Sequence, residues 1–344
     1  MASHRRSPSS SSSVLSRSAK VTVLSAAAVT AAAFGATPAS ADPDTSERLT
    51  ARAEVDRLYE QAEKATESFN EADERAGLLR EQVSRVQDGV ARGQERINRM
   101  RGALGAVAGA QYRSGGMDPA LALLLSDDPD SYLDKAATLD RISERQATAL
   151  AELRRAQRDL AQQRAEAGRL LTELERSRAA VVLHKRTVER KLAEARALLN
   201  SLPTEERDAF DRASRSGRDD LPLPGGEAVS GRAAAAVAAA RSAIGKPYVW
   251  GANGPSGFDC SGLMQWSYAQ AGVGIPRTSQ AQRDAGRHVP LAEARPGDLV
   301  TYRDDASHVA MYMGNGQVVH APYPGAPVRY DPVGMMPVSA VTRV

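Results

Sequence analysis

The sequence predicts a long helical hairpin followed by a smaller α+β domain. From about Asp44 to Leu202 the chain is rich in Ala, Arg, Glu and Leu, and its only prolines are Pro119 and Pro129. From Gly231 onward Gly, Pro, Tyr and Trp become frequent. The first part repeats apolar residues every 3.5 positions, whereas the second alternates short apolar runs with turn residues. Two different folds in one chain explain this change of pattern.

The first 41 residues have the features of an export signal. Four basic residues precede a short apolar run at 21–34, and Ala39-Ser40-Ala41 is typical of a cleavage site. The apolar run is too short to span a bilayer comfortably. We therefore expect residues 1–41 to be a signal peptide that is removed, and the mature protein to be secreted.

The charge of the chain does not favour a polyanionic partner. The sequence has 45 Lys and Arg residues against 42 Asp and Glu residues. Four of the basic residues and none of the acidic ones lie in the leader, so the mature chain is close to neutral. Because no overall cationic field remains, nothing in the charge balance points to nucleic acid as a partner.

The first apolar seam runs from Ala51 to Val107 at alternating steps of four and three residues, and only Gly93 interrupts it. An apolar repeat of this period specifies a left-handed coiled coil, because a straight helix would rotate the stripe away from its partner. The seam positions are Ala51, Val55, Leu58, Ala62, Ala65, Phe69, Ala72, Ala76, Leu79, Val83, Val86, Val90, Gly93, Ile97, Met100, Leu104 and Val107.

A second seam extends from Leu139 to Leu202, with a few polar interruptions. Between the seams, the Gly- and Pro-containing segment 114–119 breaks the helix. The simplest arrangement is an antiparallel coiled-coil hairpin over residues 42–202, and pairing of the same seams in a homodimer is the alternative. Residues 203–230, with three prolines and three glycines among charged residues, are typical of a flexible linker.

Four leucines follow the break between the seams, at Leu121, Leu123, Leu124 and Leu125. They are too many for one face of a short helix. They either close the end of the hairpin as a small cap or form an exposed apolar patch for a partner.

Cys260 is the only cysteine in the 344 residues. A secreted chain with one cysteine has no internal disulfide to make, so this thiol is either incidental or reactive. Asp259 is a suitable N-cap for a helix from Cys260 to Ala271, which places the thiol in the first turn. The positive end of a helix favours thiolate over thiol. The sequence therefore predicts a cysteine nucleophile.

Two histidines downstream supply a candidate base and a residue to orient it. His308 begins one predicted strand and His320 ends the next, with Gly314-Asn315-Gly316 between them. A three-residue loop pairs Met313 with Gln317 and puts both histidines on one face. A two-residue loop would put them on opposite faces, so the chemistry of a catalytic triad predicts the longer loop. The alternatives are that Cys260 is an ordinary small apolar residue and the histidines are ordinary surface residues, or that all three bind zinc.

Six sequence blocks occur in the order seen in the NlpC family of papain-like cell-wall peptidases, which residues 231–344 resemble. A second glycine is usual in the family where this chain has Ala252, a difference that should alter a turn rather than the chemistry. The blocks are Pro247-Tyr248-Val249-Trp250-Gly251, Phe258-Asp259-Cys260-Ser261-Gly262-Leu263, Pro276-Arg277-Thr278-Ser279, Pro296-Gly297-Asp298-Leu299, His308-Val309-Ala310, and Gly314-Asn315-Gly316 through His320-Ala321.

This resemblance implies an α+β papain-like (NlpC-type) domain that hydrolyses peptidoglycan stem peptides, commonly between D-isoglutamate and diaminopimelate or lysine. Cys260 would be the nucleophile, His308 the general base and acid, and His320 the residue that orients it, with no metal or cofactor. The implied location is extracellular, at the cell wall. The positions implied to line or brace the substrate pocket are Tyr248, Asp259, Ser261 and Arg277.

Two other functions remain open at this point. A related scaffold carries amidases that cut between muramic acid and L-alanine, and a coiled coil with a silent terminal domain would be a wall-binding scaffold. The chain also resembles secreted division hydrolases whose coiled coils engage a membrane transporter-like division complex. We therefore expect the coiled coil both to dock on such a complex through its leucine-rich tip and to cover the catalytic cleft.

Overall fold

The computed structural model describes residues 43–113, 119–125, 132–208 and 231–344. The expected signal peptide, most of the expected linker and the side chain of Leu123 lie outside the described residues.

Two long helices form an antiparallel hairpin. Helix α1 spans Pro43–Arg113, the short helix α2 spans Pro119–Leu124, and helix α3 spans Tyr132–Ser201. Near the base of the hairpin the hydroxyl of Ser177 donates to the carbonyl of Ala72 at 2.8 Å, and further along Arg164 donates to Gln94 at 2.7 Å. Because later residues of α1 meet earlier residues of α3, the predicted antiparallel arrangement is confirmed.

The apolar seam is buried most tightly at the base of the hairpin. Val55 and Leu58 of α1 pack there against Val188 and Leu192 of α3. Toward the other end the helices leave an apolar groove of about 350 Å³ between them. The seam residue Val107 is 46% exposed there, so the seam is less closed near the tip than its sequence pattern predicts.

The described leucines of the tip are exposed rather than packed into a cap. Leu121, Leu124 and Leu125 are 56%, 74% and 71% exposed, respectively. Within the described residues, no helix contains a segment both long and apolar enough to cross a bilayer.

The C-terminal domain is a six-stranded antiparallel sheet with helices against it. The strand order across the sheet is β1-β6-β2-β3-β4-β5. Its elements are helices α4 (Gly231–Ser242), α5 (Cys260–Gln270) and α6 (Ser279–Arg283), and strands β1 (Arg287–His288), β2 (Leu299–Tyr302), β3 (His308–Gly314), β4 (Gln317–His320), β5 (Arg329–Pro332) and β6 (Val338–Arg343). This arrangement confirms the predicted α+β class.

The sheet buries both of its faces, with different residues of the same strands. Val309 and Met311 of β3 pack with Leu263 and Met264 of α5 in the main core. The intervening residue, Ala310, belongs to a second apolar cluster on the opposite face. Because alternate residues of a strand point to opposite faces, His308 lies on the face of Ala310.

The turn between β3 and β4 differs from the predicted three-residue loop. Gly314 pairs with Gln317 across a two-residue turn in which Asn315 and Gly316 have φ values of 53° and 71°. Positive φ at both central positions is typical of a type I′ hairpin turn. The register then shifts between Tyr312 and Gly314, which forms a β-bulge.

The bulge places His320 on the same face of the sheet as His308, which a two-residue turn alone would not do. Beyond it Met311 pairs with Val319, and continuing this register places His320 opposite Ala310. His308 and His320 therefore share a face, as predicted, although the loop length was wrong.

A second buried stripe on α1 faces the C-terminal domain. Its members recur every three or four residues and lie outside the seam: Tyr59, Glu63, Thr66, Glu67 and Asn70. Tyr59 stacks on Tyr323 with ring centroids 5.0 Å apart, and Phe69 contacts Trp250 edge-on at 5.3 Å. Phe69 was assigned to the hairpin seam by its spacing, but its ring instead packs on the C-terminal domain.

Candidate active site

The nucleophile candidate lies where the sequence placed it, at the first residue of α5. The side chain of Asp259 caps this helix by accepting from the backbone N–H of Gly262 at 2.7 Å. The thiol of Cys260 also receives a hydrogen bond from the backbone N–H of Val309, the residue after His308. The N-terminus of α5 and the start of β3 therefore meet at the thiol.

The environment of Cys260 favours the neutral thiol in this arrangement, contrary to the expectation of a stabilised thiolate. Burial raises its pKa well above the usual range, and the carboxylates of Glu67, Asp259 and Glu63 raise it further. The hydrogen bond from Val309 acts in the opposite direction but does not outweigh them. Two of the three carboxylates belong to α1, so the hairpin itself disfavours the reactive form.

Three side chains on adjacent strands, those of His308, His320 and Asp331, form a hydrogen-bonded series. Nε2 of His308 lies 2.8 Å from Nδ1 of His320, and Nε2 of His320 lies 2.8 Å from Oδ2 of Asp331. Arg329 also donates to this oxygen, at 2.9 Å. Both imidazoles are almost completely buried, at 0% and 1% exposure.

Burial and hydrogen bonding determine the charges of His320 and Asp331. Burial lowers the pKa of His320 to about 4, and Asp331 only partly offsets this effect. Burial alone would raise the pKa of Asp331, but the bonds from His320 and Arg329 bring it below its usual range. At neutral pH His320 is therefore neutral and Asp331 is ionised.

Two glutamates of α1 enter this site from the hairpin. Oε1 of Glu67 lies 3.7 Å from Sγ of Cys260 and accepts from the hydroxyl of Ser261 at 2.7 Å. Its other oxygen accepts from the backbone N–H of Ser279 at 2.7 Å. One turn earlier, Oε1 of Glu63 lies 3.1 Å from Nδ1 of His308, an ion-pair distance without standard hydrogen-bond geometry.

Arg303 completes the contact of Glu63, because its guanidinium donates to the second carboxylate oxygen at 2.8 Å. Burial would raise the pKa of Glu63, but His308 and Arg303 together lower it below its usual range. For Glu67 burial prevails, and with the nearby charge of Asp259 it raises the pKa to about 7. The two glutamates are one helical turn apart, and their pKa values are shifted in opposite directions.

The remaining site residues from the sequence surround Cys260 and are themselves buried. Arg277 makes a two-pronged bond with Asp259, at 2.9 Å and 2.6 Å, and donates to the hydroxyl of Ser261 at 2.9 Å. Arg277 is therefore held against Asp259 and Ser261. Asp259 also accepts from Asn70 of α1 at 3.1 Å. Tyr248 is 6% exposed, and burial raises its pKa well above the usual range.

Residues 245–341 match the sequence model of the NlpC/P60 family. The C-terminal part of this chain is an NlpC/P60 domain. It contains the helix of Cys260, the strands of both histidines and Asp331.

Curated relatives resemble this domain and not the whole chain. A probable endopeptidase of Mycobacterium tuberculosis is 43% identical over 117 residues, which cover 34% of this chain and 30% of the relative. A probable endopeptidase of Corynebacterium glutamicum is 44% identical over 127 residues, covering 36% and 60%. The peptidoglycan endopeptidase RipA of Mycolicibacterium smegmatis is 46% identical over 120 residues, covering 30% and 24%. The chain thus spans 24% to 60% of the length of these relatives.

Among solved structures, the P60 domain of an antigen from Mycobacterium avium subspecies paratuberculosis is similar to this domain. It is 39% identical, covers 33% of this chain and 93% of the solved chain, and has a TM-score of 0.31.

Three residues of the site were missed by the sequence analysis. Glu63 and Glu67 lie off the apolar seam of α1, and no sequence motif includes them. The signal that could have found them is the second stripe, in which Tyr59 and Asn70 repeat at the same helical spacing. No sequence motif indicated Asp331, because it contacts His320 only as a result of the pairing of β4 with β5.

Proposed function

We propose that the protein is a secreted cysteine endopeptidase that cleaves the stem peptides of peptidoglycan. The observation that carries this proposal is the position of Cys260 at the N-terminus of α5, beside the hydrogen-bonded pair of His308 and His320, in an NlpC/P60 domain. The relative from M. smegmatis is named a peptidoglycan endopeptidase. Of the bonds in the stem peptide, we propose the one between D-isoglutamate and diaminopimelate.

The arrangement can perform acyl transfer. His308 accepts the proton of the thiol, and the thiolate of Cys260 attacks the carbonyl carbon to form a carbon–sulfur bond. His308 then returns the proton to the departing amine as the carbon–nitrogen bond breaks. A water molecule, deprotonated by His308, next attacks the thioester and breaks the carbon–sulfur bond, giving a carboxylate and the free thiol.

Charge develops on the substrate oxygen during both attacks. The first N–H groups of a helix have no acceptor within the helix, so the backbone N–H of Cys260 is suited to donate to this oxygen. Preorganised donors of this kind supply a large part of the rate enhancement in acyl transfer.

We also propose that the hairpin restrains the peptidase. Cys260 is 1% exposed, and the glutamates of α1 occupy the space next to its thiol and next to Nδ1 of His308. A substrate carbonyl must reach the same two groups. Helix α1 has to move away before a stem peptide can bind.

A covered cleft is also what a catalytically silent wall-binding scaffold would have, so this second function needs a direct test. The test compares the full chain carrying Tyr59→Ala and Phe69→Ala with the same chain also carrying Cys260→Ala. The two aromatic changes remove contacts of α1 with Tyr323 and Trp250 and leave both glutamates in place.

Mass spectrometry of digested peptidoglycan separates the candidate functions. Fragments that end in D-isoglutamate, absent with Cys260→Ala, would support the endopeptidase and its nucleophile. Stem peptides released from muramic acid would show an amidase instead. If the loosened chain binds peptidoglycan but releases no fragments, the protein is a scaffold.

The location and the partner are part of the same proposal. The leader at residues 1–41 supports secretion to the cell wall, and the exposed leucines of the tip support docking on a membrane division complex. Deletion of 121–125 should abolish septal recruitment of the full chain. Unchanged recruitment would contradict this docking.

A further inference from the structure

We propose that Asp331 is a positioning residue that fixes the proton positions on both histidines, so that His308 presents a bare Nδ1 to Cys260. This inference rests on the proposed function and extends the catalytic set by one residue beyond Cys260, His308 and His320.

The first step concerns Asp331, the last side chain of the hydrogen-bonded series. Oδ2 of Asp331 lies 2.8 Å from Nε2 of His320 and also accepts from Arg329 at 2.9 Å. An arginine can only donate, and an ionised carboxylate can only accept. Because Arg329 keeps Asp331 ionised, the ring nitrogen of His320 that faces it must carry the proton.

The second step shows that the proton position on His320 determines the proton position on His308. His320 is buried and neutral at neutral pH, so it has one ring proton, which Asp331 holds at Nε2. Its Nδ1 is then an acceptor, and the nitrogen 2.8 Å away, Nε2 of His308, must be the donor. Once Glu63 has moved away with α1, neutral His308 therefore has its proton at Nε2 and a free lone pair at Nδ1.

The third step links this lone pair to the reaction. Nδ1 of His308 is the nitrogen that Glu63 approaches to 3.1 Å from the hairpin, and Glu67, one turn further along the same helix, lies 3.7 Å from Sγ of Cys260. When α1 moves away, Nδ1 is free to accept the thiol proton. Without the carboxylate, His320 could carry its proton at Nδ1, and the base nitrogen of His308 would then point away from the thiol.

The strands explain how three side chains come into line. His320 belongs to β4, and in the pairing of β4 with β5 Val318 faces Asp331 while His320 faces Arg329. Residues two apart on a strand share a face, so Asp331 lies diagonally from His320. The same diagonal relation holds between His320 and His308 across β3 and β4.

The test uses the full chain and two measurements that do not require hydrolysis. Nitrogen-15 NMR of imidazole-labelled protein reports which ring nitrogen of each histidine carries a proton, with His308→Gln and His320→Gln spectra for assignment. We expect His320 to carry its proton at Nε2. Protonation at Nδ1 of His320 in the unchanged chain would overturn the inference.

The second measurement is the alkylation rate of Cys260, which is unambiguous because the chain has one cysteine. In the chain loosened by Tyr59→Ala and Phe69→Ala, Asp331→Asn should slow alkylation at pH 7 by about 10- to 100-fold and shift the profile to higher pH. This is smaller than the roughly 10⁴-fold loss when an aspartate that bonds the catalytic base directly is changed to Asn.

Two variants separate positioning from stability. Asp331→Glu should restore part of the lost rate, because it keeps an ionised acceptor. Asp284→Asn, which removes an exposed carboxylate beside His288, should change neither measurement. Unchanged proton positions and an unchanged alkylation rate in Asp331→Asn would refute the role.

Hydrolysis by the same variants distinguishes this inference from the proposed function. On peptidoglycan, Asp331→Asn should lower kcat with little change in KM, because Asp331 does not touch the substrate. Failure of every variant to hydrolyse peptidoglycan, with the expected proton positions and alkylation rates, would refute the peptidase and retain the positioning of His308.

Discussion

The charged groups around Cys260 decide whether its thiol can react. Asp259 is part of the domain and is braced by Arg277, whereas Glu63 and Glu67 come from the hairpin. All three carboxylates disfavour the thiolate, but only the two from α1 can leave. The reactivity of Cys260 therefore reports directly on the position of the hairpin.

Glu67→Ala should increase the rate of Cys260 alkylation in the full chain at pH 7 by at least about 10-fold. The change removes the carboxylate that lies 3.7 Å from Sγ and the bonds with Ser261 and Ser279 that hold α1 down, each worth about 1.5–3 kcal/mol when a charged group takes part. Glu71→Ala, an exposed position one turn along α1, is the matched control. Equal rates for the two variants would contradict a role for Glu67.

The raised pKa of Glu67 makes the contact of α1 with the domain sensitive to pH. Protonated Glu67 is favoured in the docked state, where burial followed by Asp259 raises its pKa from 4.5 to about 7. Its contribution to docking is thus fully present below about 4.5 and is lost as the pH rises through about 7. Glu63 acts oppositely: its lowered pKa makes its contribution disappear only in acid.

The fluorescence of Trp250, which contacts Phe69 of α1, should therefore change between pH 5 and 8 in a Trp266→Phe background. Glu67→Gln, which mimics the protonated acid, should remove the part of this transition near pH 7. A transition of the same midpoint and amplitude in Glu67→Gln would assign the pH dependence to groups other than Glu67.

At the scale of single residues, the sequence identified the candidate nucleophile and both histidines but not the carboxylates that contact them. Cys260, His308 and His320 were predicted from residue type, helix capping and strand register. Glu63, Glu67 and Asp331 could not be, because their importance depends on which surfaces meet after folding. A glutamate off the seam of a long helix is most often solvated.

Helix α5 depends on one glycine in its first turn. A Cβ on Gly262 would lie against the carbonyl oxygen of Ala252 and close to Oδ1 of Asp259, the oxygen that caps the helix. The loop before the helix can approach this closely only because no side chain is present. The position of the thiol in α5 thus depends on this contact.

Gly262→Ala should destabilise the C-terminal domain by about 1–3 kcal/mol, the usual cost of forcing atoms into a packed site. Gly274→Ala, where a Cβ meets open space, is the matched control and should change stability by less than about 1 kcal/mol. Urea denaturation followed by tryptophan fluorescence measures both, since Trp250 and Trp266 lie in this domain. A fully stable Gly262→Ala would show that the loop moves freely.

The strand elements show where sequence pattern stops being sufficient. The antiparallel hairpin, helix α5 and the pairing of His320 opposite Ala310 were all predicted from spacing. The loop between β3 and β4 was predicted wrongly, because a bulge adds one residue to a strand without changing its alternation elsewhere. A two-residue turn with a bulge and a three-residue loop give the same register beyond Met313.

On the scale of the whole molecule, one helix belongs to two interfaces. The seam of α1 packs with α3 at the base of the hairpin, while the stripe from Tyr59 to Asn70 contacts Cys260 and His308. A force or partner that moves the hairpin would therefore also move Glu63 and Glu67. This coupling provides a physical route from an event at the tip to the exposure of Cys260.

The most direct test of this account is the rate of fragment release from peptidoglycan by the full chain and by its Tyr59→Ala, Phe69→Ala variant. Leu78→Ala, an exposed apolar position on the same helix, is the control. We predict that the double variant releases fragments ending in D-isoglutamate at least about 10-fold faster than the other two proteins. Equal rates for all three would contradict restraint by the hairpin, and no release by any of them would contradict the peptidase itself.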